Sequence, residues 1–171
     1  AMDSRVYWGS ADGLNTEQIT LLPTTGAVGN TAADLNGDGY LEVIFSNLRT
    51  EEAYDLDSFV YWGGPEGFDP DSPGLLPAHA PKANSVADFN GDGFPDILIS
   101  NSFSQFENQV SSTLYYGSDD GYSTEDTTEV YSDGAHGHAV ADLNLDGHLD
   151  IAMCSKFDEA PKGVKSQIIW G

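Results

Sequence analysis

Three acidic segments of the chain, at residues 34–42, 88–96 and 142–150, place side-chain oxygens at a spacing that suits a metal ion. Each follows the pattern D-x-N-x-D-G-x-x-D/E, so carboxylate or amide oxygens occupy positions 1, 3, 5 and 9, and position 7 can offer its backbone carbonyl. Hard oxygen ligands in this number, with a glycine for a sharp turn, suit Ca²⁺. We therefore predict three calcium sites. The predicted ligands are Asp34, Asn36, Asp38, Tyr40 and Glu42 in the first site, Asp88, Asn90, Asp92, Phe94 and Asp96 in the second, and Asp142, Asn144, Asp146, His148 and Asp150 in the third.

Two other interpretations of these segments are weaker. An EF-hand needs a bidentate glutamate at loop position 12, and here that position holds Phe45, Ile99 or Met153 inside an apolar run. Ordinary turns are also rich in aspartate, asparagine and glycine, because Asx side chains bond to their own backbone. Three copies with all four side-chain positions filled favour the cation. In the third copy Leu145 replaces a glycine, at a position that supplies no ligand.

An internal repeat of 54 residues organises the chain, since this is the distance between the starts of successive acidic segments. A second marker, an aromatic residue followed by glycine, keeps the same phase and occurs at residues 7–9, 61–63, 115–117 and 169–171. A regular period of this length is typical of arrays of small supersecondary units.

Each repeat carries short segments rich in β-forming residues and bounded by Gly, Pro, Asn or Asp, and none shows a helical period with caps. The second and third segments are apolar on both faces, which indicates sheets sandwiched between neighbours. Four antiparallel strands per repeat are typical of a β-propeller blade. We therefore predict an all-β fold of about three blades in a single repeat domain. The predicted boundaries are 1–25 for the end of a preceding blade, 26–79 and 80–133 for two blades, and 134–171 for an incomplete blade.

These segments resemble the FG-GAP and VCBS repeats, which are the calcium-loop blades of integrin α-chain propellers and of many secreted bacterial proteins. The resemblance covers essentially the whole chain, and the acidic loop is its most specific part. The Gly-x-x-Gly pairs of the family occur at residues 26–29 and 134–137, whereas the middle repeat has Ala80 and Ala83. The resemblance implies a calcium loop between the innermost and second strands of each blade. It also implies extracellular adhesion or ligand binding on the opposite face.

The composition excludes several function classes. A formal net charge of −22, from 28 acidic residues against 6 Lys and Arg, argues against binding nucleic acid or an anionic membrane surface. The lone Cys154 excludes an internal disulfide and a cysteine-based zinc cluster, and we expect it to be a small buried apolar residue. No apolar run reaches the roughly 20 residues of a membrane span. No signal peptide is apparent, but we expect an extracellular location because extracellular calcium modules bind too weakly to fill in the cytosol.

Other side chains give weaker indications of a site. His79, His136 and His138 fall near the starts of predicted innermost strands, where they either form a metal or ligand site or, more simply, line a polar channel. The aromatic residues of the second marker are expected to pack in the core rather than to stack on sugars. These are Trp8, Trp62, Tyr116 and Trp170. No catalytic constellation is predicted, so we do not expect an enzyme.

The sequence thus predicts a calcium-stabilised module for extracellular ligand binding or adhesion, with a protein or a glycan as ligand. One alternative is a lectin that uses Tyr54, Phe59, Phe103 and Phe106 in or near the variable links that follow the second strands. Another is a non-catalytic part of a secreted polysaccharide-active enzyme. Because closed propellers need about four to eight blades, we expect a homo-oligomer or the remainder of a longer propeller to complete the ring.

Overall fold

Antiparallel β-strands form the regular structure of the chain. A computed structural model describes residues 2–104, 110–132, 134–155 and 165–171. These described residues contain no helix, and so none with the length and apolarity needed to cross a bilayer. Their thirteen strands are β1 (Met2–Ser10), β2 (Gly13–Thr24), β3 (Ala27–Ala33), β4 (Glu42–Asn47), β5 (Ser58–Tyr61), β6 (Gly74–Leu76), β7 (Pro81–Ala87), β8 (Asp96–Asn101), β9 (Ser112–Tyr115), β10 (Thr127–Val130), β11 (Ala135–Ala141), β12 (Asp150–Ser155) and β13 (Gln167–Ile169).

Four sheets contain these strands, and each sheet pairs strands that are consecutive in the sequence. One sheet pairs β1 with β2, two sheets follow the orders β3-β4-β5-β6 and β7-β8-β9-β10, and a three-stranded sheet has the order β11-β12-β13. Small antiparallel sheets built from consecutive strands are the blades of a propeller. The all-β, blade-like fold predicted from the repeat is confirmed.

The first strands of the last three sheets, β3, β7 and β11, lie side by side. Thr31 Oγ1 on β3 donates a hydrogen bond to the backbone oxygen of Asn84 on β7 at 2.9 Å. On the other side of β7, Ser85 Oγ lies 2.7 Å from Nε2 of His138, which belongs to β11. The strands β3, β7 and β11 are therefore innermost, and the later strands of each sheet lie progressively further out.

Three apolar cores fill the spaces between neighbouring sheets, and two of them lie on either side of β8. In the first core, Ile44 of β4 packs with Ile97 and Ile99 of β8, and all three are fully buried. Leu98, the residue between those two isoleucines, faces the other side and packs with Met153 of β12 in the second core. Since successive strand residues face opposite sides of a sheet, a sheet with a core on each side needs an apolar run without alternation.

The aromatic residues of the aromatic-glycine marker were expected to pack in the core, but the three tryptophans among them are exposed. Trp62 and Trp170 are 37% and 58% exposed, whereas Tyr61, one residue earlier than Trp62, is fully buried. Burial of the tyrosine turns the next side chain outward, because strand residues alternate between faces. Trp8 is also 37% exposed. Of the four residues, Tyr116 lies partly buried against the second core.

Cys154 is exposed, so the expectation that it is buried was wrong. It occupies the repeat position of Ser46 and Ser100. Each of those serines contacts the first strand of the next sheet: Asn84 Nδ2 donates to Ser46 Oγ at 2.7 Å, and His138 Nδ1 lies 2.5 Å from Ser100 Oγ. The described residues include no sheet beyond β13, so the equivalent surface at Cys154 faces solvent.

Candidate metal centres

The three acidic loops connect the first strand to the second strand in three sheets, between β3 and β4, between β7 and β8, and between β11 and β12. Their backbones follow one path, since loop positions 4 and 6 have positive φ in every copy. The angles are 74° and 88° in the first loop, 74° and 93° in the second, and 63° and 95° in the third. Glycine adopts this region without steric cost, and Leu145 is the one non-glycine among the six residues. The glycines of the pattern therefore serve the turn.

The aspartate at position 1 accepts hydrogen bonds from backbone N–H groups of its own loop. Asp34 accepts the backbone N–H groups of positions 4 and 6 at 2.8 Å and 3.0 Å, one on each carboxylate oxygen. Asp88 repeats both bonds at 2.7 Å and 3.0 Å. Asp142 accepts the N–H of Gly147 at 2.9 Å and that of Asp146 at 3.1 Å. The first predicted ligand is thus oriented by the loop backbone itself.

Positions 3 and 5 carry exposed side chains joined to each other. In the central loop Asn90 Oδ1 accepts the N–H of Asp92 at 2.9 Å, and Asp92 Oδ1 accepts that of Phe94 at 2.9 Å. Asn90 Nδ2 also donates to Asp92 Oδ2 at 2.8 Å, and the other two loops repeat all three bonds. In the third loop the backbone N–H of His148 is the main cause that lowers the pKa of Asp146 below its usual value.

The carboxylate at position 9 is fully buried and binds two backbone amides. Asp96 Oδ2 accepts the N–H of Phe89 at 2.8 Å, and its Oδ1 accepts the N–H of Gly117 at 2.9 Å. Glu42 and Asp150 make the equivalent pairs of bonds, with distances between 2.7 and 3.1 Å. Burial raises the pKa of Asp96, although the two N–H donors act in the opposite direction. This carboxylate therefore ties the loop to the glycine that lies two residues after the end of the third strand.

The glycine of the aromatic-glycine marker donates the second of these two N–H groups to the carboxylate at position 9. A Cβ at Gly63, Gly117 or Gly171 would lie closer than 3.0 Å to the carbonyl oxygen at loop position 8. Only a glycine lets the backbone approach closely enough to donate its N–H to the buried carboxylate. In the sequence alone, this glycine serves only to mark the phase of the repeat. The constant separation of 21 residues between the carboxylate and the glycine was the signal that pairs them.

A comparison with protein-family models supplies the relationship of the chain to known proteins. The model of the FG-GAP-like repeat matches residues 2–45 and 88–153, which together make up more than half of the chain. The chain belongs to the FG-GAP-like repeat family. A comparison with curated proteins found no match.

The donors of the FG-GAP loops fit Ca²⁺ in their chemistry, because positions 1, 3 and 5 offer carboxylate and amide oxygens alone. A carboxylate oxygen has two lone pairs, so it can accept an N–H and still bind a cation. Within the described residues, however, no three His, Cys, Asp or Glu side chains stand together as a group that could hold a metal ion. The carboxylates at position 9 are instead directed to backbone amides. Ligation by Glu42, Asp96 and Asp150 stays a prediction.

The three histidines singled out in the sequence do not come together in this FG-GAP fold. His138 is held between two serine hydroxyl groups, Ser85 Oγ and Ser100 Oγ, and burial lowers its pKa to about 4. His79 Nδ1 lies 2.6 Å from Asp55 Oδ1. His136 lines a separate cavity. The three histidines therefore lie in three different environments and form no common site.

The aromatic residues proposed for sugar binding also divide. Tyr54 and Phe103 form an edge-to-face pair, with ring centroids 5.0 Å apart. Phe59 packs against Tyr61 in the sheet, at 6.4 Å between centroids. Phe106 lies outside the described residues, as do the rest of 105–109 and 156–164 of the variable links. The described part of the fold therefore leaves one aromatic pair from this set together.

Proposed function

We propose that the chain is a calcium-binding FG-GAP module, in which Ca²⁺ binds at each acidic loop and stabilises the hairpin between the first and second strands. One observation carries this proposal: three loops share one backbone path, the bond from the N–H of position 6 to position 1, and the bonds of positions 3 and 5. Carboxylates at positions 1 and 5 of so short a loop repel each other. An ordinary turn does not require two neighbouring carboxylates, whereas a site for a divalent cation requires negatively charged ligands.

In each loop, some residues would bind the ion and another attaches the loop to its sheet. Those at positions 1, 3 and 5 would hold the ion, and bound calcium would supply the positive charge that offsets them. The carboxylate at position 9 keeps the loop on the sheet through its two amide bonds. Nine of the 28 acidic residues lie at positions 1, 5 and 9 of the three loops. Calcium binding is therefore expected to change the stability of this anionic chain strongly.

We also propose that the module binds an extracellular protein or glycan ligand and has no enzymatic activity. The FG-GAP repeats support a propeller-like module. For its assembly we propose a homo-oligomer or a longer propeller, because within the described residues β1 pairs only with β2 and β13 only with β12. Unpaired edge strands readily pair with further strands.

Thermal unfolding in calcium and in EGTA tests the metal proposal. If only the folded form binds calcium, each site adds about 1.4 kcal/mol for every tenfold rise in free calcium above Kd. We therefore expect a melting temperature that rises steadily with calcium. Sodium chloride at equal ionic strength is the control for general screening of the net charge. A melting temperature that is the same in calcium and in EGTA would exclude the proposal.

Calorimetric titration of variants tests the ligand assignment. Asp92→Ala removes position 5 of the central loop, and we expect the number of bound ions to fall from three to two. Asp119→Asn is the control for lost charge, since Asp119 is an exposed acid outside the loops. Three equivalent ions in Asp92→Ala would contradict the assignment.

A further inference from the structure

A cavity of about 280 Å³ lies at the end of the second strands opposite the acidic loops. Three sheets contribute to it. Its walls include Arg49 and Tyr54, which follow β4, Ser102 and Phe103, which follow β8, Lys82 on β7, and His136 on β11. The cavity therefore belongs to the arrangement of neighbouring sheets and to no single repeat.

The charged side chains among the described residues that line this cavity are basic, whereas the chain as a whole is acidic. Two of the six Lys and Arg residues, Arg49 and Lys82, line it together with one of the four histidines. Among the described residues that line the cavity, none is Asp or Glu. In a chain of net charge −22, basic side chains gathered at a concave site favour an anionic ligand there.

An aromatic wall fixes the arginine at this cavity. The Arg49 guanidinium carbon lies 5.8 Å from the ring centroid of Tyr54, and Arg49 Nη1 donates to Tyr54 Oη at 3.1 Å. That bond uses one of the five guanidinium donors. Phe103 meets Tyr54 edge to face and is 42% exposed. The site thus joins an oriented guanidinium to an apolar ring surface.

The backbone at the cavity is strained, which is a second and independent observation. Ala80 lines the cavity, is 1% exposed and has φ of 44°, in the region that favours glycine. The equivalent residues of the other repeats, Gly26 and Gly134, are glycines with φ of 63° and 69°. The N–H of Ala80 donates to the Tyr54 carbonyl at 2.7 Å, and Ser102 Oγ donates to the Ala80 carbonyl at 2.7 Å. Strained non-glycine residues of this kind cluster at ligand-binding sites.

We infer that this cavity binds a carboxylate-bearing sugar residue of the uronate type. Arginine matches a carboxylate in geometry and charge, and the exposed ring of Phe103 offers an apolar face for a sugar ring. A volume of about 280 Å³ accommodates one or two sugar rings, whereas an acidic peptide would need an extended groove. This inference names the ligand class of the proposed binding module and therefore rests on that proposal.

Calorimetric titration of the whole chain in calcium with D-glucuronate tests the inference. D-glucose, which lacks the carboxylate, and acetate, which lacks the ring, are the matched probes. We expect glucuronate to bind at least about tenfold more tightly than either, since both halves of the site then contribute. Equal binding of the three probes, no binding of glucuronate, or preferential binding of a tetraglutamate peptide would overturn the inference.

Variants separate this site from the metal sites. We expect Arg49→Gln to weaken glucuronate binding about tenfold, whereas Arg5→Gln, which removes another exposed arginine, on β1, leaves it unchanged. Both variants should keep the rise of melting temperature with calcium. A calcium response without glucuronate binding overturns the sugar site alone, and a lost calcium response in the unaltered chain overturns the calcium proposal. Equal weakening by both variants would also contradict the assigned site.

Discussion

The backbone N–H of Gly117 donates to Oδ1 of the buried Asp96 carboxylate at 2.9 Å, and Oδ2 of the same carboxylate accepts the N–H of Phe89. One side chain thereby joins the acidic loop, the start of β8 and the residues after β9. The same connection recurs in the other two loops through Glu42 and Asp150. The last carboxylate of the loop pattern therefore supports the fold through its own bonds to backbone amides.

Asp96→Asn is expected to destabilise the protein even in the absence of calcium. An asparagine has the same shape, but it has one oxygen for two N–H donors, so its amide nitrogen must face one of them. Leaving a buried donor without its acceptor costs about 1–3 kcal/mol. Urea unfolding in EGTA measures this loss.

Asp92→Asn is the matched control for that variant, because Asp92 is exposed at position 5 of the same loop. In EGTA it should change the free energy of unfolding by less than about 0.5 kcal/mol. In calcium it should lose part of the calcium-dependent stabilisation. If Asp96→Asn and Asp92→Asn behave alike in EGTA, the supporting role assigned to Asp96 is wrong.

Gly117→Ala is expected to destabilise the central sheet. Its Cβ would lie closer than 3.0 Å to the Pro95 carbonyl oxygen and 3.2 Å from Phe94 Cβ. Forcing an extra methyl group into such a packed position typically costs about 1–3 kcal/mol. Gly9→Ala alters the same marker on β1, where no atom lies within 4 Å of the added carbon, and it should be nearly neutral. Equal stabilities of the two variants would contradict the close approach at Gly117.

Much of this fold could be predicted from the sequence because its pattern is repetitive. The run from Ile97 to Ile99 is apolar without alternation, and the structure places a core on each side of it. The resemblance to FG-GAP repeats implied that the acidic loops lie between first and second strands, and the structure places them there. These features depend on local backbone geometry and on burial, and both can be read from the order of apolar, polar and glycine residues.

The direction of individual side chains could not be predicted in the same way. The loop pattern identifies Asp96 as a possible oxygen ligand. Only the fold shows that one of its oxygens accepts a hydrogen bond from the N–H of Gly117. The adjacent Tyr61 and Trp62 differ in burial because a strand alternates, and the sequence does not reveal which of two aromatic residues faces inward. The exposure of Cys154 depends on a contact between sheets, which no local pattern encodes.

Leu145→Gly is expected to stabilise the third loop. Leu145 has φ of 63°, and its counterparts are Gly37 and Gly91, both at 74°. A left-handed conformation costs an ordinary residue about 1–2 kcal/mol, of which the greater flexibility of glycine in the unfolded chain cancels about 0.5–1 kcal/mol. The leucine is 87% exposed, so little burial is lost. We expect a gain of up to about 1 kcal/mol in urea unfolding.

Gly91→Leu is the reverse change in the central loop and should destabilise by a similar amount. Both variants are best compared in EGTA, so that calcium affinity does not contribute. A loss of stability in Leu145→Gly would mean that the leucine side chain makes a contact that outweighs its backbone strain.

His138 should make the stability of the protein fall in mildly acidic solution. Burial lowers its pKa to about 4 from a usual value of 6.5. The unfolded chain therefore binds a proton at a higher pH than the folded chain does. The stability that comes from the neutral imidazole is fully present above pH 6.5 and is lost as the pH falls towards 4. A shift of this size corresponds to at most about 3 kcal/mol.

His138→Asn is the variant that tests this dependence, because Asn84 fills the same repeat position and bonds to the equivalent serine, Ser46. An asparagine does not titrate, so the variant should lose stability less steeply than the unaltered protein between pH 6.5 and 4. His79→Gln removes a half-exposed histidine beside Asp55 and should leave most of the slope in place. Urea unfolding at several pH values in EGTA gives the three slopes. Parallel curves for His138→Asn and the unaltered protein would show that the buried histidine does not control the acid sensitivity.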